Sequence, residues 1–400
     1  MPRAARGSHR PPAPRPALDL ADIVRTHGAT YRREHALSRD QRAVLRAIAT
    51  CRTPVLGGHL DVCDTCGHTR PAYNSCRNRH CPKCQALRAA RWVDARMARL
   101  LPTPYFHVVF TLPAALRGLV LHNRRRLFAL LFAAASQTLL TLGRDRRRLG
   151  ATLGITAVLH TWTRDLQFHP HVHCLVTGGG LAVERPRWIA ARRRYLLPVK
   201  VLSRLFRGKF LAALARARER GELQFPGAIA DLADAGTFGA LLDQLYRQDW
   251  VVYAKRPFGG PTQVFHYLGR YTHRVGLSNH RLQAITPDAV RFATKDGRSV
   301  TVPPREFLRR FLLHVLPAGF VKIRHFGLFG ARQVPTALAH ARRLLAGAAP
   351  RTTPPPPTPR DWRTLLRRLT GVDLARCPRC AHGTMIRHPL PSGAPVYAPP

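Results

Sequence analysis

The stretch that most constrains the fold is residues 169–180, HPHVHCLVTGGG, near the middle of the chain. An apolar run followed by consecutive glycines predicts a buried strand that ends at Thr177, just before Gly178. Because side chains on a strand alternate between two faces, His171 and His173 share one face and Val172 lies on the other. Two imidazoles side by side on a strand predict a site for a divalent metal ion.

Two imidazoles do not complete the coordination of such an ion. Mg²⁺ and Mn²⁺ prefer oxygen ligands, so we expect phosphate oxygens and water to fill much of the remaining sphere. For a third protein ligand we favour His169, which lies on the same strand face as His171. His160 on the preceding predicted strand and His266 are the alternatives.

A predicted helix over residues 261–275 carries Tyr267 and Tyr271, which share one face because they are four residues apart. Two buried aromatic residues would give the same spacing. The basic residues around the pair, including Arg270 and Arg274, disfavour that interpretation, and we expect these two arginines to contact DNA.

The tyrosine pair gives the metal site a chemical role. A tyrosine hydroxyl is a weak nucleophile unless its target is activated, and a metal ion at His171 and His173 would polarise a phosphodiester for attack. Attack by Tyr267 or Tyr271 releases a 3′-hydroxyl and leaves a 5′-phosphotyrosine, which conserves the bond energy for rejoining. With two tyrosines, one active site can hold two strands in turn, as strand transfer requires.

Cysteine pairs predict a second kind of metal site. Two CxxC pairs close together predict one tetrahedral structural zinc, Zn²⁺, held by Cys63, Cys66, Cys81 and Cys84. Cys76 and His80 lie in the same loop as spare ligands, and the distant pair Cys377 and Cys380 is half of a zinc ribbon whose role the sequence leaves open. Basic residues surround the first pairs, and of these we expect DNA contacts from Arg77, Arg79 and Lys83.

Charge and composition indicate the partner and the compartment. The formal net charge is +44, with only 21 acidic residues, which predicts a polyanionic partner, most simply nucleic acid. The first residues lack the apolar segment of a secretory signal, and cysteines in CxxC pairs favour metal over disulfides. We therefore predict a cytoplasmic protein, nucleoid-associated when bound to DNA, with no membrane partner.

The chain divides into four predicted segments. Residues 1–18 form a disordered basic arm, 19–100 a helical and zinc-binding domain, 101–335 the catalytic domain, and 336–400 a basic, proline-rich linker and tail with the last CxxC pair. In the catalytic segment, alternating patterns predict strands at residues 105–112, 155–162, 169–177 and 250–254, and residues 116–142 are predicted helical.

Several longer motifs carry a resemblance to a known family. These are SCRNRHCPKCQ, HTW, HPHVHCLVTGGGL, YLGRYTHRVGLSNHRL and VKIRHFGLFG. The chain resembles, from about residue 36 to about residue 330, the two-tyrosine HUH transposases of rolling-circle bacterial insertion sequences, the type with an N-terminal zinc-binding domain. Members often have a Gly-Gln-Asn-like run after HTW, where this chain has Thr163, Arg164 and Asp165.

The resemblance implies an α+β fold with an antiparallel central sheet, like that of replication initiators and relaxases. It implies Mg²⁺ or Mn²⁺ as the catalytic ion and single-stranded DNA at transposon ends, with target DNA, as the partner. By motif match, His171 and His173 ligate the metal, and Tyr267 and Tyr271 are the nucleophiles. A plasmid replication initiator or relaxase, and a non-catalytic zinc-dependent nucleic-acid-binding protein, remain as alternatives.

Overall fold

The computed structural model describes residues 16–184, 187–192, 195–255, 276–294, 296–346, 359 and 361–393. The chain forms two compact units, each made of separate stretches of sequence. The first comprises Met1–Asp94, His273–Leu308 and Pro355–Pro400, and the second comprises Ala95–Thr272 and Arg309–Pro354. This differs from the four consecutive segments predicted above, because the C-terminal stretch joins the N-terminal one in a single unit.

The described residues contain helices and strands in mixed order. The helices are α1 (Leu20–Glu34), α2 (Arg39–Thr50), α3 (Ala86–Met97), α4 (Arg117–His122), α5 (Arg124–Arg144), α6 (Val199–Glu219), α7 (Ala235–Arg247), α8 (Pro304–Leu312), α9 (Ala339–Ala346) and α10 (Trp362–Thr370). The strands are β1 (Gly58–Cys63), β2 (Thr69–Tyr73), β3 (Tyr105–Thr111), β4 (Ala151–Trp162), β5 (Phe168–Ala182), β6 (Trp188–Ala190), β7 (Val252–Lys255), β8 (Leu282–Ile285), β9 (Val290–Ala293), β10 (Ser299–Val302), β11 (Ile323–Gly327) and β12 (Met385–Leu390).

The second unit is built on an antiparallel sheet of order β11-β4-β5-β3-β7, with β6 paired to β5. The α+β class and the antiparallel central sheet are therefore as predicted. Strand β5 continues to Ala182, five residues beyond its predicted end at Thr177, since Gly178–Gly180 remain extended and pair with β4 and β6. The predicted helix over residues 261–275 lies outside the described residues.

One face of this sheet forms the hydrophobic core. Because strand residues alternate, every second side chain of β3, β4 and β5 points to helices α5 and α6. The buried strand residues on this face include Phe106, Val108, Phe110, Ile155, Ala157, Leu159, Val172, Cys174 and Val176. Helix α5 is long and apolar enough to cross a membrane, but 67% of its apolar window is buried inside the protein, as expected for a core helix.

The first unit contains two small sheets, of order β12-β1-β2 and β10-β9-β8. Helices α1 and α2 each begin with a capping box, at Asp19 and Ser38, which satisfies the first backbone N–H groups. The Asp19 carboxylate also forms an ion pair with Lys83 and accepts a hydrogen bond of 2.8 Å from the Asn279 side chain. One carboxylate thus joins the start of α1, a CxxC loop and the segment before β8.

Candidate functional site

Three histidines converge on the face of the central sheet opposite to α5 and α6. On β5, His171 and His173 share this face, as the alternation predicted, and His160 lies directly across from His171 on β4. One ring nitrogen from each of His160, His171 and His173 lies within 4.8 Å of the other two. The ring centroids of His160 and His173 are 4.3 Å apart. We call these three residues the histidine cluster.

The third histidine beside His171 and His173 is not the one that we favoured from the sequence. His160, one of the alternatives, completes the cluster, whereas His169 is not part of it. The carbonyl oxygen of His169 instead accepts a hydrogen bond of 2.7 Å from Nδ1 of His171. A carbonyl can only accept, so His171 carries its proton on Nδ1 and keeps the Nε2 lone pair for a metal ion.

A fourth histidine, His107 on β3, supports the cluster from the neighbouring strand. Its Nε2 lies 2.8 Å from Nδ1 of His173, and the two rings are stacked with an interplanar angle of 10°. This contact fixes the orientation of the His173 ring and leaves its Nε2 directed away from His107. Sequence reasoning missed His107, although its place in an alternating strand pattern was a usable signal.

Burial keeps the imidazoles of His171 and His107 neutral. It lowers the pKa of His171 to about 4, and it lowers the pKa of His107 to about 4 with a further contribution from the positive charge of Lys255. At neutral pH both rings are therefore uncharged, which is the form that binds metal. Trp162 stacks on His160 with ring centroids 4.7 Å apart, which limits the movement of that ligand.

The connection between β4 and β5 is ordered by its own side chains. The hydroxyl of Thr163 donates to the Asp165 carboxylate and accepts from the backbone N–H of Gln167 at 2.9 Å. Arg310 donates to the backbone carbonyl of Asp165 at 3.1 Å. The departure from the family pattern at residues 163–165 therefore falls in a hydrogen-bonded turn that sets the pairing of the two histidine strands.

The cysteines form two clusters instead of the single predicted site. One contains Cys51, Cys76, Cys81 and Cys84, and the other contains Cys63, Cys66, Cys377 and Cys380. The predicted zinc site of Cys63, Cys66, Cys81 and Cys84 is therefore wrong in its grouping, because β1 carries its CxxC pair to β12 and away from the other pair.

The cluster of Cys51, Cys76, Cys81 and Cys84 is compact. Sγ of Cys84 lies 3.3 Å from Sγ of Cys51 and 3.7 Å from Sγ of Cys76. Hydrogen bonds with Cys76 and Cys81 lower the pKa of Cys51 to about 7, while contacts among the same sulfurs raise the pKa of Cys76 and Cys81. His80 lies outside the four, and its Nδ1 is 3.0 Å from Oδ1 of Asn78. Cys51 was missed because it follows a helix without a CxxC partner.

Some of the remaining predicted site residues lie within the described part of the chain, and others lie outside it. Tyr267, Tyr271, His266, Arg270 and Arg274 lie outside the described residues. Arg77 is exposed and Arg79 is half-buried. Lys83 forms an ion pair with Asp19, which gives it a structural role and makes it the weakest of the proposed DNA contacts.

Comparison with known protein families places the chain in a class. The family model described as "Transposase zinc-binding domain" matches residues 23–112, and the model described as "Putative transposase" matches residues 154–336. The first region contains the cluster of Cys51, Cys76, Cys81 and Cys84, and the second contains the histidine cluster. Both descriptions are of transposases, which act on DNA.

Individual relatives agree with this class. The chain is 48% identical over 389 residues to the "Putative transposase y4qJ" of Sinorhizobium fredii, covering 96% of this chain and 97% of that protein. It is 28% identical over 352 residues to the "Transposase for insertion sequence element IS801" of Pseudomonas savastanoi pv. phaseolicola, covering 82% and 79%. No solved structure matches the chain. The chain belongs to the two-tyrosine rolling-circle transposases of bacterial insertion sequences, the type with an N-terminal zinc-binding domain.

Proposed function

We propose that this transposase nicks and rejoins single-stranded DNA at the ends of an insertion sequence, through 5′-phosphotyrosine links to Tyr267 and Tyr271. The observation that carries the proposal is the convergence of His160, His171 and His173 on the face of the sheet that the core helices leave open. We assign the role of ligands for a catalytic Mg²⁺ or Mn²⁺ ion to these three residues.

The donor set fits such an ion. Three imidazoles from two paired strands supply one side of a coordination sphere, and DNA phosphate oxygens and water supply the oxygen ligands that Mg²⁺ and Mn²⁺ prefer. When bound, the ion polarises the scissile phosphodiester and neutralises its developing negative charge. The carbonyl of His169 and the ring of His107 hold two of the ligands in the orientation that presents Nε2.

Chain connectivity brings the tyrosines within reach of this site. Strand β7 pairs with β3, and Lys255 at its end lies across from His107, whose ring contacts His173. Tyr267 follows Lys255 by 12 residues and Tyr271 by 16. An extended chain spans up to about 3.3–3.6 Å per residue, so the chain between Lys255 and either tyrosine is long enough to reach the histidine cluster.

The charge of the chain suits a DNA substrate. A formal net charge of +44 provides phosphate contacts in abundance, and Arg77 and Arg79 beside the first cysteine cluster are our proposed contacts in the first unit. For the catalytic segment we propose Arg270 and Arg274. A transposase acts on the chromosome of its host, so we also infer a cytoplasmic, nucleoid-associated location.

The decisive test is covalent capture of DNA. Full-length protein with Mn²⁺ and a labelled single strand from an element end should give a protein–DNA adduct that survives denaturation. The double variant Tyr267→Phe, Tyr271→Phe should lose the adduct and keep DNA binding. Tyr253→Phe, at an exposed tyrosine on β7, is the matched control and should form the adduct normally. An undiminished adduct in the double variant would refute the assignment of the nucleophiles.

A further inference from the structure

We propose that Cys63, Cys66, Cys377 and Cys380 hold a second structural zinc ion, which joins the C-terminal tail to the zinc-binding domain. The matched family regions end at residues 112 and 336, so Cys377 and Cys380 lie beyond both. All four sulfurs lie within 4.8 Å of one another, and all four residues belong to the first compact unit. We call these residues the tail cluster.

The sulfur spacing matches that of a tetrahedral zinc site. For a zinc–sulfur distance of about 2.3 Å, the edge of the tetrahedron is about 3.8 Å. The observed separations are 3.8 Å between Sγ of Cys63 and Cys380, and 3.7 Å between Sγ of Cys66 and Cys377. A disulfide needs sulfurs at about 2.05 Å. The tail cluster therefore has the dimensions of a metal site and not those of two cross-links.

The two halves of the tail cluster have the same backbone geometry. The N–H of Gly67 donates to the carbonyl of Cys63, and the N–H of Ala381 donates to the carbonyl of Cys377, at 3.2 and 3.1 Å. Gly67 and Ala381, which follow the second cysteine of each pair, both have left-handed φ angles, of 68° and 59°. Such a conformation is uncommon for alanine. Two loops far apart in sequence thus adopt one turn that directs both sulfurs inward.

Backbone N–H groups point at the sulfurs in both halves. Cys66 N–H lies 3.5 Å from Sγ of Cys63, and Gly383 N–H lies 3.3 Å from Sγ of Cys380. Such contacts orient thiolate ligands and partly neutralise their charge. In addition, the Asp64 carboxylate accepts a hydrogen bond of 2.9 Å from the backbone N–H of Thr384, which links the two loops directly.

Gly383 shows how closely the loops approach. A Cβ atom at this position would lie 2.4 Å from Sγ of Cys63 and 2.8 Å from Oγ1 of Thr65, closer than real Cβ atoms come. A side chain at this position would therefore have to displace Sγ of Cys63, and glycine allows the loop that carries Cys380 to pack against Cys63 without that displacement. The adjoining strands β1 and β12 pair in register, with Cys63 across from Met385, so the sheet brings both cysteine pairs together.

The test is a zinc count on purified full-length protein. We expect two zinc ions per chain in the wild type, and one in Cys377→Ser and in Cys380→Ser. Cys174→Ser is the matched control, because Cys174 is a buried cysteine of the second unit and lies outside both clusters. Gly383→Ala should also lower the count to one without removing a ligand, whereas Gly208→Ala, where a Cβ meets nothing within 4 Å, should retain two.

A second measurement uses the wild-type protein, so its result does not depend on whether the variants fold. In wild-type protein reconstituted with Co²⁺, the absorption bands of a tetrahedral four-sulfur site should grow until two equivalents are bound at such sites, whereas Co²⁺ at the histidine cluster has no sulfur ligands and does not contribute to these bands. Saturation of the four-sulfur bands at one equivalent, or an unchanged zinc count in folded Cys377→Ser, would overturn the proposal. So would disulfides among the four tail-cluster cysteines in the native protein, detected as a failure of these thiols to alkylate after metal removal.

Discussion

At the scale of single residues, the histidine cluster depends on neighbours that fix which ring nitrogen is available. The carbonyl of His169 accepts a hydrogen bond from Nδ1 of His171, and the ring of His107 contacts Nδ1 of His173. A free imidazole can present either nitrogen, so a site without these contacts would bind metal more weakly. His169 and His107 are thus positioning residues, while His160, His171 and His173 are the proposed ligands.

Alanine substitutions at His160 and at His169 should show which of the two residues is a metal ligand. We expect His160→Ala to weaken Mn²⁺ binding by about 100-fold or more and to abolish nicking, because one of three imidazole donors is lost. His169→Ala should keep near-normal affinity, since its contribution to the cluster is a backbone carbonyl that alanine retains. Mn²⁺ titration followed by electron paramagnetic resonance measures both. Equal losses in the two variants would contradict the ligand set.

His107→Phe tests the positioning role. Phenylalanine fills the buried space but cannot hydrogen-bond to His173, so we expect Mn²⁺ affinity to fall roughly 10- to 100-fold. Nicking should recover at high Mn²⁺ concentration, because all three ligands are still present. A rate that stays low at saturating Mn²⁺ would mean that His107 acts in the reaction in some other way.

At the scale of elements, strand β5 serves the core and the site at once. Its even-numbered residues Val172, Cys174 and Val176 are buried against α5 and α6, and its odd-numbered histidines face the other side. A shift of one residue in register would exchange these faces, so core packing fixes the site. The irregularity of pairing between His160 and Trp162 begins just after the cluster, so His160 lies across from His171 in the same register that pairs Ile155 with Val176.

The small sheet β12-β1-β2 depends on one buried carboxylate. Asp61 on β1 has a side chain only 4% exposed and accepts hydrogen bonds from Arg70 on β2 and Arg387 on β12, at 2.9 and 3.0 Å. Burial opposes its ionisation, but the two guanidinium groups outweigh burial and lower the pKa of Asp61 below its ordinary value. All three strands are therefore linked through a single side chain.

Asp61→Asn should loosen this sheet. We expect a loss of about 2 kcal/mol in the free energy of unfolding, because two guanidinium groups lose a charged acceptor but remain partly hydrated. Zinc should also leave the tail cluster faster in the presence of a chelator, since β12 adjoins it. Asp288→Asn, at an exposed position, is the control. An unchanged unfolding midpoint for Asp61→Asn would show that the ion pairs contribute nothing net.

At the scale of the whole molecule, we expect the protein to become less stable as the pH falls below neutrality. Burial lowers the pKa of His107, His171 and His325 to about 4, and that of His314 to about 3, from an ordinary value of 6.5. In the unfolded chain these rings take up protons near pH 6.5, while in the folded chain they remain neutral. The free energy of unfolding should therefore decrease as the pH falls from about 6.5 towards 4.

His314→Phe offers a clean check of this pH dependence. The buried His314 ring accepts from the Thr161 hydroxyl and donates to the Leu166 carbonyl, and it lies outside the histidine cluster. The variant loses one titrating group, so its stability should fall less steeply with pH than that of the wild type in urea unfolding between pH 7 and 4.5. Identical slopes would show that His314 does not contribute.

Local features of this protein can be predicted from its amino-acid pattern. Alternation of apolar and polar residues gave the strands β3, β4, β5 and β7 and placed His171 and His173 on one face, because side-chain direction in a strand follows from backbone geometry alone. The CxxC spacing likewise indicated zinc, since two cysteines in one turn are already positioned to share an ion.

Which distant residues meet in the histidine and cysteine clusters depends on the tertiary fold. Pairing of β4 with β5 selected His160 over His169, and pairing of β1 with β12 separated Cys63 and Cys66 from Cys81 and Cys84. The tertiary fold also brings Cys51 into one cysteine cluster and Cys377 and Cys380 into the other. These choices depend on register between strands that are separated by up to several hundred residues, and short-range spacing contains no information about that register.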